Sequence, residues 1–157
     1  MPGAADLVAY VSRVHDRTYE AVTMVPDNLV DWRPRDGEFS MGEVVAHIAA
    51  ARHMTSRALL GEAIRYEGHD LPPLAGANFI RRLAEHSSSV SLKRLRRADL
   101  EREIATVGGA LVPAWQMLAS GLVEHEVHHR SQLCEYLGMN GIAPPPLYGL
   151  HAEDLPR

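Results

Sequence analysis

Apolar positions recur every three to four residues along four stretches of this chain, and each stretch predicts an amphipathic helix. The first runs from Ala4 to Val25, with Leu7, Val11, Val14, Thr18, Ala21 and Val25 at helical spacing, and Pro26 stops it. Asp27 to Ser40 follows, holding Trp32-Arg33-Pro34 and Asp36-Gly37. It is an ordered loop, because Leu29, Val30 and Trp32 need burial. The second helix starts at a capping box, Ser40-Met41-Gly42-Glu43, and runs to about Leu60, where Gly61 suits a C-terminal cap. A loop with Gly68, Pro72 and Pro73 leads to the third, Ala77 to Arg97, whose Ser87-Ser88-Ser89 predicts a kink or an early end. Gly108-Gly109 breaks the next stretch. The fourth runs from about Leu111, with Pro113 in its first turn, to Leu137, with Gly138 and Gly141 beyond.

No stretch alternates strongly enough to predict a strand, and no internal repeat appears. Four helices of this length predict an all-α four-helix bundle in a single domain, residues 1–157. The long loop after the first helix leaves room for a crossover connection. The tail from Ile142 holds Pro144-Pro145-Pro146 and is expected to be irregular.

Polar residues interrupt this pattern where it should be most apolar. On the last helix the row Trp115, Leu118, Leu122, His125, His129, Gln132, Tyr136, Met139 alternates steps of three and four, the spacing of an inward face. Its ends are apolar and its middle is His125, His129 and Gln132. Residues four apart stack along a helix with Cβ atoms about 5–6 Å apart, so two imidazoles there can share one metal ion. The second helix offers the row Val44, His47, Ala51, Met54, Ala58, with a His among small and apolar neighbours. Three inward His match the donor count of an open catalytic-type site, its fourth position left for water or substrate. A buried imidazole also serves as an ordinary hydrogen-bonded core residue, but three without a shared partner would leave polar nitrogens unsatisfied. His128 is the rival ligand to His129, and falls off the row. His15, His53, His69, His86 and His151 show no such spacing and are expected on surfaces or loops.

His125-Glu126-Val127-His128-His129 also matches H-E-x-x-H, in which the Glu is the general base of zinc proteases. Glu126 points away from the row, and Gln132 and Glu135 stand where a Gly-x-x-His extension would be, which disfavours a protease. Arg130 and Cys134 lie off the row too. They are expected to be a surface or dimer-interface ion pair and an ordinary packed thiol.

Composition narrows the classes further. With 46% hydrophobic and 23% charged residues among 157, the chain is too apolar to be disordered. A net charge of -4 argues against nucleic-acid binding by bulk electrostatics. The basic run Lys93-Arg94-Leu95-Arg96-Arg97, beside Arg81-Arg82, fits a solvated helix end. One Cys excludes an intrachain disulfide and a Cys-rich zinc site. The most apolar stretch, Ala110 to Val123, falls short of the ~20 residues of a membrane span. No signal-peptide pattern appears, so a cytoplasmic location is expected.

These residues resemble the DinB/YfiT-like superfamily of metal-dependent enzymes. The likeness rests on His47 in Met41-Gly42-Glu43-Val44-Val45-Ala46-His47-Ile48 and on Glu124-His125-Glu126-Val127-His128-His129-Arg130-Ser131-Gln132. Trp32-Arg33-Pro34, Asn140-Gly141 and Pro145-Pro146-Leu147-Tyr148-Gly149 extend it over nearly the whole chain. Ser131 stands where the family often has Gly. The resemblance implies a four-helix bundle, usually a homodimer, with a divalent ion such as Zn or Ni on His47, His125 and His129. It also implies, for some members, transferase or isomerase chemistry on a low-molecular-weight thiol. Three neutral ligands leave the ion its full charge, which activates a bound water for hydrolysis or stabilises a bound thiolate for transfer. Gln132 is placed to orient either. A small-molecule binder using the same site without turnover, and a metal-free structural bundle, are the two competing readings.

Overall fold

The computed structural model describes residues 3–149. Its helices are α1 (Ala4–Thr23), α2 (Met41–Ala58), α3 (Ala77–Leu95) and a last rod built of α4 (Ala114–Met117), a π-helical segment (Leu118–Glu124) and α5 (His125–Met139). Dihedrals stay right-handed helical through both junctions of the rod, so it is continuous. The Ser40 hydroxyl accepts from the Glu43 amide, and Glu43 accepts from the Ser40 amide, which closes the capping box that starts α2. The serines of α3 do not break it. Ser87 and Ser91 turn their hydroxyls onto carbonyls of the preceding turn and stay buried.

Two expectations need correction. Glu103–Ala105 (β1) and Leu111–Pro113 (β2) pair antiparallel, with Ile104 opposite Val112. The glycines that break the helical pattern form the hairpin turn, with Gly109 at φ +81°. The last rod therefore starts at Ala114, and Pro113 precedes it instead of occupying its first turn.

The second correction concerns the crossover. One apolar cluster joins Ala21 and Val22 of α1, Met41 and Val44 of α2, Ala77 and Ile80 of α3, and Leu133 and Leu137 of α5. The other joins Val11 and Val14 of α1, Leu59 just beyond α2, Leu95 of α3, and Leu118 and Leu122 of the rod. So α1 is antiparallel to α2, α2 and α3 run parallel, and the rod returns alongside α1. Parallel neighbours need a connection as long as themselves, and residues 59–76 supply it along the bundle. The loop between α1 and α2 merely turns at one end. Gly42 lets the crossover dock: a Cβ there would lie 2.5 Å from Leu71 and 2.7 Å from Val30.

Between the two apolar clusters lies a polar layer reaching all four helices. Arg52 of α2 donates to both carboxylate oxygens of Glu126 on α5, at 2.8 and 2.6 Å, and to Ala84 O and Ser87 Oγ of α3. Thr18 of α1 donates to Glu126 Oε1 at 2.6 Å. His15 of α1 sits 3.4 Å from Glu126 Oε2 and 3.0 Å from Ser88 Oγ. His15, Arg52 and Glu126 are 1–2% exposed. His15 is thus a core residue, which corrects its expected surface position. Arg130 is buried as well, donating to Val14 O and Tyr148 Oη, and forms no surface ion pair.

Candidate metal centre

The capping box sets where α2 begins, and so places His47 in its second turn, facing α5. On α5 the fully buried stripe is Glu126, Arg130, Leu133 and Leu137. The His125, His129, Gln132 row runs beside it and is half-buried. That shift corrects the inward row. Trp115 and Met139, its predicted apolar ends, are exposed. The π-helical segment changes the angular phase between Trp115 and His125, because i→i+5 bonding packs more residues into each turn. Met139 lies at the helix terminus. The outcome is a half-buried cluster of imidazoles between α2 and α5.

One ring nitrogen from each of His47, His125 and His129 lies within 4.8 Å of the others. His47 Nε2 and His125 Nε2 are 3.0 Å apart. Two ligands of a tetrahedral ion with bonds of about 2.0–2.1 Å sit roughly 3.3 Å apart, so the cluster is near the required size. Burial pushes the His47 pKa down to about 4, helped by the neighbouring charges of His129, His125 and His69 when protonated. Burial, with His129 and His128, does the same for His125, also to about 4. His129 is lowered chiefly by burial, against a hydrogen bond to Gln132 that favours its charged form. All three rings are therefore neutral at pH 7, the state in which imidazole ligates a metal. These three His could hold a divalent ion.

Gln132 hydrogen-bonds His129, one turn away on the same helix. Its amide oxygen is 2.9 Å from His129 Nδ1 and can only accept, so Nδ1 carries the proton and Nε2 keeps its lone pair. Gln132 Nε2 in turn donates to Tyr136 Oη at 3.0 Å. His128 is exposed, its ring 4.8 Å from that of His129, and stays outside the cluster. Glu126, the base of an H-E-x-x-H protease, is held in the polar layer. Burial opposes its ionisation, but the Arg52 charge and hydrogen bonds outweigh that and hold its carboxyl below the ordinary range. Cys134 is half-buried and packs against the first apolar cluster, its thiol pushed up by burial.

The crossover contributes residues that spacing alone did not mark. Tyr66 Oη is 2.7 Å from His47 Nδ1 and 2.7 Å from His69 Nδ1. Phe39 packs its ring 4.4 Å from His69 and 5.2 Å from His47. His69 is in a loop as expected, yet belongs to the surroundings of the site. An irregular segment has no period from which such a contact could be read. His53 is half-buried beside Arg94, at 3.4 Å, and His86 is exposed. Within the basic run Lys93, Arg96 and Arg97 are exposed, while Arg81 caps the carbonyls of Thr23 and Val25. His151 lies outside the described residues.

A family model described as the DinB superfamily matches residues 10–133. The chain belongs to the DinB superfamily. Among solved structures, a DinB-like protein of Bacillus subtilis superposes with a TM-score of 0.75 at 22% identity, over 91% of this chain and 96% of that one. At that identity the likeness shows a shared DinB-like fold, and it includes the helical arrangement described above. Among curated proteins none matches the sequence. No helix among the described residues of this DinB-like chain is long and apolar enough to cross a membrane.

Proposed function

We propose that this DinB-superfamily protein binds a divalent ion, Zn or Ni, on His47, His125 and His129, and acts as a metal-dependent enzyme of thiol-dependent transferase or hydrolase type on a small molecule. The observation that carries the reading is the convergence of three neutral, half-buried imidazoles whose ligand nitrogens lie within 4.8 Å of one another. A divalent ion on three neutral ligands keeps its full charge and supplies Lewis acidity at an open position. The chain's own residues do the rest. Gln132 holds the His129 lone pair toward the cluster, Phe39 walls one side, and the Arg52–Glu126 layer fixes the helices that carry the ligands. With Cys134 packed away from the cluster, a thiol nucleophile would come from a cosubstrate. One domain over residues 1–157, a homodimer and a cytoplasmic location complete the proposal, and nucleic acid has no part in it.

Metal analysis of untagged purified protein tests the reading. One first-row ion per chain is expected, and its loss from His47→Ala, His125→Ala and His129→Ala. Protein without stoichiometric metal, unable to take up added Zn or Ni at pH 7.5, overturns it. One observation favours a binder without turnover: Glu126, the general base of the H-E-x-x-H pattern, is committed to the core. Metal-loaded protein offered thiols with electrophiles separates the two. Electrophile consumption marks the enzyme; thiol binding without consumption marks the binder.

A further inference from the structure

The crossover between the parallel helices does more than connect them. It lays Tyr66 and His69 over the outer edge of the cluster, anchored through Leu71 against Gly42. We infer that Tyr66 and His69 form a positioning relay that presets His47 as a metal ligand through its Nε2. The assignment rests on the metal reading above and follows from hydrogen-bond polarity. Nε2 of His47 is the nitrogen turned to His125. To ligate there it must be bare, so the ring proton sits on Nδ1. Nδ1–H then donates to Tyr66 Oη, at 2.7 Å. Tyr66 has a single proton of its own, and its second short contact is His69 Nδ1, also at 2.7 Å, which must accept. His69 is thereby left with its proton on Nε2. With His47 ligating through Nε2, a single direction of donation runs through both short contacts.

The arrangement parallels Gln132 on His129, where an amide oxygen enforces the same tautomer from the other helix. Ligating His commonly donate their second nitrogen to such a partner, and removing it costs about 10–100-fold in metal affinity. Here the partner stands on the crossover, outside the helices that carry the three His. Tyr66 is 41% exposed, so its loss leaves the bundle intact.

Zn affinity by chelator competition, the absorption spectrum of the Co-loaded protein, and imidazole 15N NMR of the metal-free protein test the relay. Tyr66→Phe is expected to weaken Zn binding by about 10–100-fold. It should also alter the Co ligand-field bands and shift His47 from the Nδ1–H form toward a tautomer mixture. The melting temperature of the metal-free protein should stay unchanged. His69→Gln, which can still accept from Tyr66, should retain most of the affinity, whereas His69→Leu should lose part of it. Wild-type affinity, spectrum and tautomer in Tyr66→Phe overturn the relay. Failure of the wild-type protein to bind Zn at all overturns the metal reading instead.

Discussion

His125 and Glu126 are neighbours in sequence, yet their side chains leave α5 toward different surroundings. His125 enters a half-buried cluster, where it meets His47 and His129, and burial keeps its ring neutral. Glu126 enters a layer closed to water, where Arg52, Thr18 and His15 surround a carboxylate held ionised. The cluster groups bring one ring nitrogen each within 4.8 Å of the others. In the layer, Arg52 and Thr18 spend their hydrogen bonds on Glu126 and its neighbours. A motif that in other folds unites a ligand and a catalytic base is divided here between binding and architecture. The teaching is that burial plus internal pairing marks a structural polar cluster, while partial exposure plus converging lone pairs marks a chemical one.

The strongest test of that contrast is Glu126→Ala. It leaves the Arg52 guanidinium uncompensated in the core, so unfolding in urea should show a loss of about 3–5 kcal/mol. His125→Ala, one residue away, should move stability by less than about 1 kcal/mol, since the site is half open to water. Equal losses in the two variants would erase the contrast. Metal affinity should respond in the opposite order. Isothermal titration with Zn is expected to show more than 100-fold weakening for His125→Ala, or about 2.7 kcal/mol.

pH provides a third probe. His15 is neutral when folded, its pKa lowered to about 3 by burial and by the Arg52 charge, against the pull of Glu126. Unfolding restores an ordinary value near 6.5. The unfolded chain therefore takes up this proton first as pH falls. The contribution is complete above about pH 6.5 and is lost progressively toward pH 3, roughly 2 kcal/mol of it by pH 5. Urea midpoints at pH 7.5 and 5 should separate more in wild type than in His15→Asn. An identical pH dependence in the two proteins would remove His15 from the account. The smallest effect is expected from Gln132→Ala, about a tenfold loss of Zn affinity with the fold retained. Unchanged affinity would leave the His129 tautomer to some other group.

Much of this was written in local pattern. Ser40 and Glu43 announce the start of α2, and the four helices follow from apolar spacing with ends within a few residues. His47, His125 and His129 could be chosen because a four-residue step stacks side chains on one face. What escaped the pattern has identifiable causes. The hairpin at residues 103–113 is two three-residue strands, too short for alternation to register. The π-helical segment lies outside a rule built on 3.6 residues per turn, so the row fails at Trp115; at its other end it overruns the helix terminus at Met139, while Leu118, Leu122 and Tyr136 are buried as the row implies. His15 was expected on a surface or loop, because only packing shows that it lies buried against Glu126, and Arg52 carried no local signal of its buried pairing.

The sequence by itself determined the helices, their caps and the three imidazoles, since these depend on intervals of a few residues along one chain. The tertiary structure decided which helices run parallel, that a long crossover must then return along the bundle, and that this return brings Tyr66 and His69 to His47. It also decided that Glu126 turns inward to Arg52 while His125 turns to His47. Those outcomes depend on residues some twenty to more than a hundred positions apart, and no local period carries information over such distances; only the packing of one face against another does.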